Sequence, residues 1–174
     1  SVPVCAFIGA LLTLLIVLKM AMRRGCLDTT HLILAGIIVS SILSAGISLL
    51  KTASGEQVSA IVAWLMGSLA ARTWQQVWLG WPVVLAGTLM CWYFSGELNL
   101  LSLGEQDARS LGVRVQMVRR VCVITASLIA AVCVSVSGVI GFVGLIVPHL
   151  LRVALTSDNR ALLPLAALTG GLLL

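Results

Sequence analysis

Long apolar runs that contain no acidic residue limit most strongly what this chain can fold into. Val4 to Met22, Leu32 to Leu50, Val77 to Phe94 and Val121 to Val136 are such runs. A helix that crosses a bilayer needs about 20 predominantly apolar residues. Charged residues make up 10% of the chain, against about 25% in soluble domains. The sequence therefore predicts an all-α integral membrane protein, a polytopic helical bundle.

Two further apolar segments bring the predicted number of spanning segments to about six. Val139 to Leu155 is interrupted by glycine and proline, and Ala161 opens an apolar run that continues to the last residue. Val58 to Leu69 is too short to cross and is predicted to be re-entrant or interfacial. Because the chain starts at Ser1 and its last residues are still apolar, we expect a fragment, residues 1–174, of one larger transmembrane domain.

Basic residues determine the predicted orientation, because cytoplasmic loops carry an excess of Lys and Arg. If the loop from Gly25 to His31 is cytoplasmic, only Lys51 and Arg72 lie outside, and nine basic residues lie inside. The net charge of +5 then needs no nucleic acid partner. We predict a multi-pass membrane protein in this orientation. The inner residues are Lys19, Arg23, Arg24, Arg109, Arg114, Arg119, Arg120, Arg152 and Arg160.

The longest cytoplasmic connection carries signals for a short helix. Ser102 and Glu105 match a capping box, Glu105 and Arg109 have the spacing of a helical ion pair, and Gly112 suits the left-handed residue after a helix. These signals predict a helix at about 103–111. Such a helix is unstable alone, so it must contact either the chain's own cytoplasmic helix ends or a separate soluble protein. The spacing favours neither.

Two segments resemble signatures of one transporter family. Leu103-Gly-Glu-Gln-Asp-Ala-Arg-Ser-Leu-Gly112 resembles the LGE..AR.LG signature of the FecCD-type permeases of type II ABC importers. Gly138-Val-Ile-Gly-Phe-Val-Gly-Leu-Ile-Val-Pro-His-Leu-Leu-Arg152 is similar to their G.IGF.GL..PH..R stretch. Weaker matches are Trp64-Leu-Met-Gly-Ser-Leu69 with Trp74, and Leu34-Ala-Gly36. The four matches occur in the family's order and cover nearly the whole chain.

This resemblance implies a ten-helix permease subunit, of which the chain would hold the fourth helix through the start of the ninth. Such subunits pair with a second permease, identical or paralogous, and work with cytoplasmic ATPase subunits and a periplasmic binding protein. The implied function is ATP-driven import across the bacterial inner membrane, with iron(III)-siderophore as the expected cargo. Haem and cobalamin permeases share the motifs. We expect no enzyme activity, since the chain has no Gly-x-x-x-x-Gly-Lys-Ser/Thr loop for ATP, and no cofactor.

The resemblance also assigns a role to the connection at about residues 97–114. In the family this segment is the coupling segment, and its helix docks on the ATPase. The contact candidates are Ser102, Glu105, Asp107, Arg109 and Ser110.

The family's translocation path runs beside the helix that begins after the first cytoplasmic loop. In this chain small residues recur at every fourth position of that helix, on one face. They either pack against another helix, which we favour, or line a wet path with hydroxyls. Two threonines at its cytoplasmic mouth match residues that narrow the path in relatives, and they or Asp28 also suit a helix N-cap. The path candidates are Thr29, Thr30, Gly36, Ser40, Ser44 and Ser48.

The second signature contains candidates for helix packing. Glycine allows helices to approach closely, and proline leaves a carbonyl that a neighbour must satisfy. Its histidine could be a metal ligand or a proton relay, but no second histidine or carboxylate accompanies it, so an anchor at the membrane interface is favoured. The packing candidates are Gly138, Gly141, Gly144, Pro148, His149 and Arg152.

Missing residue patterns narrow the function further. The predicted spans contain no Asp or Glu, whereas proton- and sodium-coupled carriers usually place such groups at mid-membrane. The five cysteines form no CxxC pair, so packing is favoured over metal or disulfide roles. No metal site is predicted. The alternative function is a secondary carrier or channel whose cytoplasmic loop packs only on its own helices.

Overall fold

The computed structural model describes residues 2–23, 26–53, 62, 65–69 and 73–174. Helices dominate this part of the chain, as predicted. In chain order the elements are α1 (Val2–Ala21), β1 (Met22–Arg23), β2 (Cys26–Leu27), α2 (Thr29–Ala53), α3 (Trp74–Tyr93), α4 (Ser95–Ser102), α5 (Glu105–Ser110), α6 (Val115–Ser137), α7 (Val143–Ala154) and α8 (Asn159–Leu173).

Three of the described helices, α1, α2 and α6, are long and apolar enough to cross a membrane. A fourth span results if α3 and α4 are counted as one helix bent by 52°. The remaining two predicted spans correspond to α7 and α8, which contain 12 and 15 residues. These helices confirm the predicted polytopic membrane fold.

The chain forms two compact units. Unit 1 contains residues 1–80 and 130–139, and unit 2 contains residues 81–129 and 140–174. Helices α3 and α6 are each divided between the two units.

In unit 1 a tight antiparallel turn joins two long helices. β1 pairs with β2, with Met22 opposite Leu27, and α1 contacts α2. The sequence analysis predicted neither strand: Met22 was placed at the end of the first span, and β2 lies in the predicted loop from Gly25 to His31. Two residues are too few to show an alternating pattern. Asp28 caps α2, since its Oδ1 accepts the N–H of Thr30 at 2.9 Å. Of the three capping candidates, the structure therefore selects Asp28.

The small-residue face of α2 is open in the described part of unit 1. No heavy atom lies within 4 Å of a Cβ placed on Gly36, and Ser40, Ser44 and Ser48 are exposed. Ser40 donates to the carbonyl of Ile37 in its own helix at 2.9 Å. The choice between packing and a wet path therefore stays a prediction. Much of the predicted re-entrant segment, with Trp64, lies outside the described residues, as do Arg24 and Arg72.

Unit 2 contains the connection that was predicted to be cytoplasmic, and its structure differs from the prediction at its start. The chain becomes helical again at Ser95, directly after the bend at Phe94, and α4 ends at Ser102. The Ser102 hydroxyl donates to the carbonyl of Asn99 at 2.6 Å, so the predicted capping box with Glu105 is wrong. Gly104 interrupts the helix with a φ of 132°. Residues that carry a side chain rarely adopt this conformation, so glycine is suited to the break.

The helix predicted at 103–111 is therefore shorter than expected. α5 contains six residues and has no side-chain N-cap. Its end agrees with the prediction, since Gly112 has a left-handed φ of 85°. Elsewhere in unit 2, α3 passes close to α6. A Cβ placed on Gly87 would lie 2.7 Å from Ile129, so this position accepts no larger residue without rearrangement.

The segment of the second signature begins its helix later than predicted. Phe142 has a left-handed φ of 66°, and α7 starts at the next residue. Pro148 lies inside α7 and has no N–H to give the carbonyl of Gly144. A Cβ placed on Gly141 or Gly144 would meet no heavy atom within 4 Å. The close packing expected at these two glycines is therefore not found among the described residues, whereas Gly138 is buried in unit 1.

The core of unit 2 joins α7 to α8. Val147 and Leu151 on α7 are buried against Leu162 on α8. This apolar contact fixes the short turn between the two helices. The turn lies at the same end of unit 2 as α4 and α5.

Candidate coupling site

The short helix α5 is held on the start of α6 by Glu105. Oε1 of Glu105 accepts a hydrogen bond from Arg109 Nη2 at 2.9 Å, and Oε2 accepts one from Arg119 Nη2 at 3.4 Å. The first contact confirms the predicted helical ion pair. The second was not predicted, and it joins α5 to a helix that spans the membrane.

Burial of one face of α5 supports the same arrangement. Ala108 has no exposed surface. The N–H of Val113 donates to the carbonyl of Ala108 at 3.0 Å, which turns the chain sharply toward α6. The sequence left open whether this helix contacts its own chain or a separate soluble protein. The structure shows that it contacts its own chain. The outer face remains available to a second partner.

The outer face of α5 carries polar side chains between two exposed leucines. Gln106, Asp107 and Ser110 are exposed, and Leu103 and Leu111 are 66% and 61% exposed. Asp107 makes no ion pair with any other described residue. The outer face of α5 therefore presents a mixed polar and apolar surface.

A second polar cluster lies beside α5 and was missed by the sequence analysis. Asn99 on α4 contacts both Asp158 and Asn159 at the start of α8. Arg152, which we predicted to be a packing residue, donates from Nη2 to Asn159 Oδ1 at 3.1 Å. Trp92 donates its indole N–H to the carbonyl of Arg160 at 3.1 Å. We call these six residues, Trp92, Asn99, Arg152, Asp158, Asn159 and Arg160, the Asn99 network.

Asp158 is the N-cap of α8 in this network. Its Oδ1 accepts the backbone N–H of Arg160 at 2.9 Å. That hydrogen bond, the one from the Asn99 side chain and the charge of Arg160 together hold the pKa of the Asp158 carboxyl below its usual range. At neutral pH the group is therefore an ionised acceptor. A capping aspartate before an apolar helix is readable from the sequence, but nothing near Asn99 in the sequence indicates its partner 59 residues away.

The predicted site residues fall into separate groups. The coupling candidates Ser102, Glu105, Asp107, Arg109 and Ser110 lie together in unit 2. The path candidates on α2 and its start lie in unit 1. His149 is exposed, and among the described residues no three His, Cys, Asp or Glu side chains form a group that could hold a metal ion.

The whole chain, residues 1–174, matches the FecCD transport family. The chain belongs to this family. It is 41% identical over 171 residues to the cobalamin import system permease protein BtuC of Halobacterium salinarum, covering 98% of this chain and 46% of that protein. It is 36% identical over 173 residues to the vitamin B12 import system permease protein BtuC of Klebsiella pneumoniae, covering 98% and 51%.

A solved structure is similar over the same extent. It is named as an inward-facing conformation of a metal-chelate type ABC transporter, with a TM-score of 0.84 and 33% identity, covering 97% of this chain and 58% of that one. The chain spans about half the length of the curated relatives it matches. These comparisons confirm the FecCD-type permease assignment and a multi-pass location in the cytoplasmic membrane.

Replacing Glu105 with Gln tests whether its carboxylate holds α5 on α6. The change removes the charge that Arg109 and Arg119 share. Ion pairs of partly exposed groups contribute about 0.2–1 kcal/mol, so amide hydrogen exchange at 105–111 should become faster by about 1.4- to fivefold. The measurement is hydrogen–deuterium exchange on the full-length permease without its ATPase.

Arg109→Gln is the matched control, because it removes the pair within α5 and leaves the contact between Glu105 and Arg119. It should accelerate exchange less than Glu105→Gln does. An unchanged exchange rate in Glu105→Gln would contradict the anchoring role of this carboxylate.

Proposed function

We propose that the chain is part of the membrane-spanning permease subunit of an ATP-driven importer and that α5 is its coupling helix. The observation that carries this proposal is the double contact of Glu105, which links a short exposed helix to the spanning helix α6. Membership of the FecCD transport family supports it. The partners are two cytoplasmic ATPase subunits, a second permease subunit, identical or paralogous, and a periplasmic binding protein.

The mechanism follows from the length of α5. Six residues rise about 9 Å, too short for a helix that is stable in water on its own. Pressure from an ATPase on the outer face therefore passes through Ala108 and Glu105 to the first turns of α6. α6 contains 23 residues and is about 35 Å long, enough to carry the movement across the membrane.

The contacts divide the coupling candidates by role. Both carboxylate oxygens of Glu105 bind arginines of the same chain, so Glu105 holds the helix in place. Asp107 and Ser110 are exposed and take no part in these contacts, and we assign them the contact with the ATPase. Ser102, exposed at the end of α4, and the half-exposed Arg109 lie at the edge of this surface.

Reversing the charge of Asp107 tests the docking surface. Asp107→Lys leaves the Glu105 contacts intact and places a cation where we propose that the ATPase binds. We expect the charge reversal to cost roughly 1.4 kcal/mol of binding free energy, which corresponds to a tenfold loss of affinity. The expected result is a loss of about this size in the affinity of the full-length permease for its ATPase, together with reduced uptake.

Ser157→Lys is the control, since it adds a cation to an exposed position on the α7–α8 turn. It should leave ATPase binding near the wild-type level. Equal weakening by both substitutions would show a general electrostatic effect and would contradict docking on α5. Uptake that continues without any ATPase would favour the alternative, a secondary carrier or channel.

For the cargo we propose a large metal chelate. The predicted spans contain no carboxylate to coordinate an ion, and the candidate path offers hydroxyls and glycine at Thr29, Thr30, Gly36, Ser40, Ser44 and Ser48. Such a surface selects weakly by chemistry and suits a bulky neutral or weakly charged ligand. The relatives reported above are named for cobalamin and vitamin B12, so a corrinoid is the first candidate and the iron(III)-siderophore of the sequence analysis is the second.

Uptake by the complete transporter distinguishes these cargoes. We expect ATP-dependent accumulation of labelled cobalamin and little competition from excess ferric siderophore. Uptake of labelled ferric siderophore without cobalamin uptake would reverse the order of the two candidates. If cobalamin, ferric siderophore and haem are all left untransported, the proposed cargo class is wrong.

A further inference from the structure

Asn99 joins the segment that leads into the coupling helix to the start of α8. Its Nδ2 donates to Asp158 Oδ1 at 2.6 Å. Its Oδ1 accepts the backbone N–H of Asn159 at 2.9 Å and the side-chain Nδ2 of Asn159 at 2.8 Å. One planar amide therefore makes three hydrogen bonds to two successive residues of another element, which fixes both its position and its orientation.

The residues that Asn99 binds are themselves fixed to α7 and α8. Asp158 caps α8 through the N–H of Arg160, and Arg152 at the end of α7 binds the side chain of Asn159. The hydrogen bond from Trp92 to the carbonyl of Arg160 attaches the end of α3 to the same point. Asn99 therefore contacts a turn that has little freedom of its own.

The position of α4 gives this contact a consequence for movement. α4 contacts both α5 and α8. The buried residues Val147, Leu151 and Leu162 hold α7 and α8 together. A displacement of α5 that reached α4 would be passed to the α7–α8 pair through this packing, and the hydrogen bonds of Asn99 would keep α4 and the start of α8 in register.

We propose that Asn99 is a positioning residue that makes the coupling segment and the α7–α8 pair move as one body, so that the ATPase drives these two helices as well as α6. This inference rests on the proposed function. It deepens that function by assigning a second route from the coupling helix into the membrane.

The side-chain chemistry at position 99 allows a specific exchange. Asn99→Asp keeps the shape of the side chain but removes the donor and places a negative charge against the ionised Asp158. Asp158→Asn in the same chain restores a donor, because the amide of residue 158 can donate to the new carboxylate. In the wild type one oxygen, Asp158 Oδ1, accepts both the Asn99 amide and the Arg160 N–H. In the exchanged pair the amide of residue 158 therefore turns, so that its oxygen keeps the cap of α8, which Asn makes as well as Asp, and its nitrogen donates to residue 99.

The experiment measures transport and ATP hydrolysis by the full-length permease with its ATPases in proteoliposomes. Asn99→Asp should lower the number of cargo molecules moved per ATP by about fivefold or more, the lower end of typical coupling effects, while ATPase binding stays unchanged. Asp158→Asn alone should have a small effect, because its carbonyl oxygen still accepts from Asn99. The double variant should recover to within about twofold of wild type.

The outcomes separate the two proposals. If the wild-type permease binds no ATPase, the proposed function fails. If ATPase binding is normal and Asn99→Asp transports as efficiently as wild type, the positioning role is overturned. Should Asn99→Asp fail to assemble, the exchanged pair decides: recovery of assembly and of transport per ATP supports the proposal, and a double variant as defective as the single one overturns it.

Discussion

Hydrocarbon offers no hydrogen-bond partner to a peptide group, and this constraint governs the whole chain. Each backbone N–H and C=O within the bilayer must bind inside its own segment, so the spanning segments are helices. Polar contacts between distant residues are consequently concentrated at the helix ends. In unit 2 that end holds α4, α5 and the α7–α8 turn, and the proposed function depends on the few hydrogen bonds there.

Those hydrogen bonds are few but placed where a short helix needs them. α5 has neither the length nor a side-chain cap to be stable alone, and it is retained by a buried Ala108 and by a carboxylate that binds two arginines. Because Glu105 is partly exposed, its ion pairs contribute little to global stability. Their value lies in position, since Arg119 belongs to a spanning helix. The Asn99 network extends the same principle to α7 and α8.

The sequence predicted those features that depend on neighbours within about one helical turn. The apolar spans, the pair of Glu105 with Arg109 and the left-handed Gly112 are of this kind, and the two family signatures were confirmed. The predicted capping box at Ser102 is wrong. Ser102 and Glu105 have the correct spacing, but Gly104 interrupts the helix between them. The contacts of Glu105 with Arg119 and of Asn99 with Asp158 join distant positions, which no local pattern specifies.

The central claim is that α5 lies in the cytoplasm and is covered by an ATPase. Labelling of Ser110→Cys with a membrane-impermeant maleimide, in a full-length permease that lacks the native cysteines, tests this most directly. The account predicts labelling in inverted vesicles, none in intact spheroplasts, and protection when the ATPase is bound. Labelling from the periplasmic side, or labelling in inverted vesicles that a bound ATPase does not reduce, would contradict it.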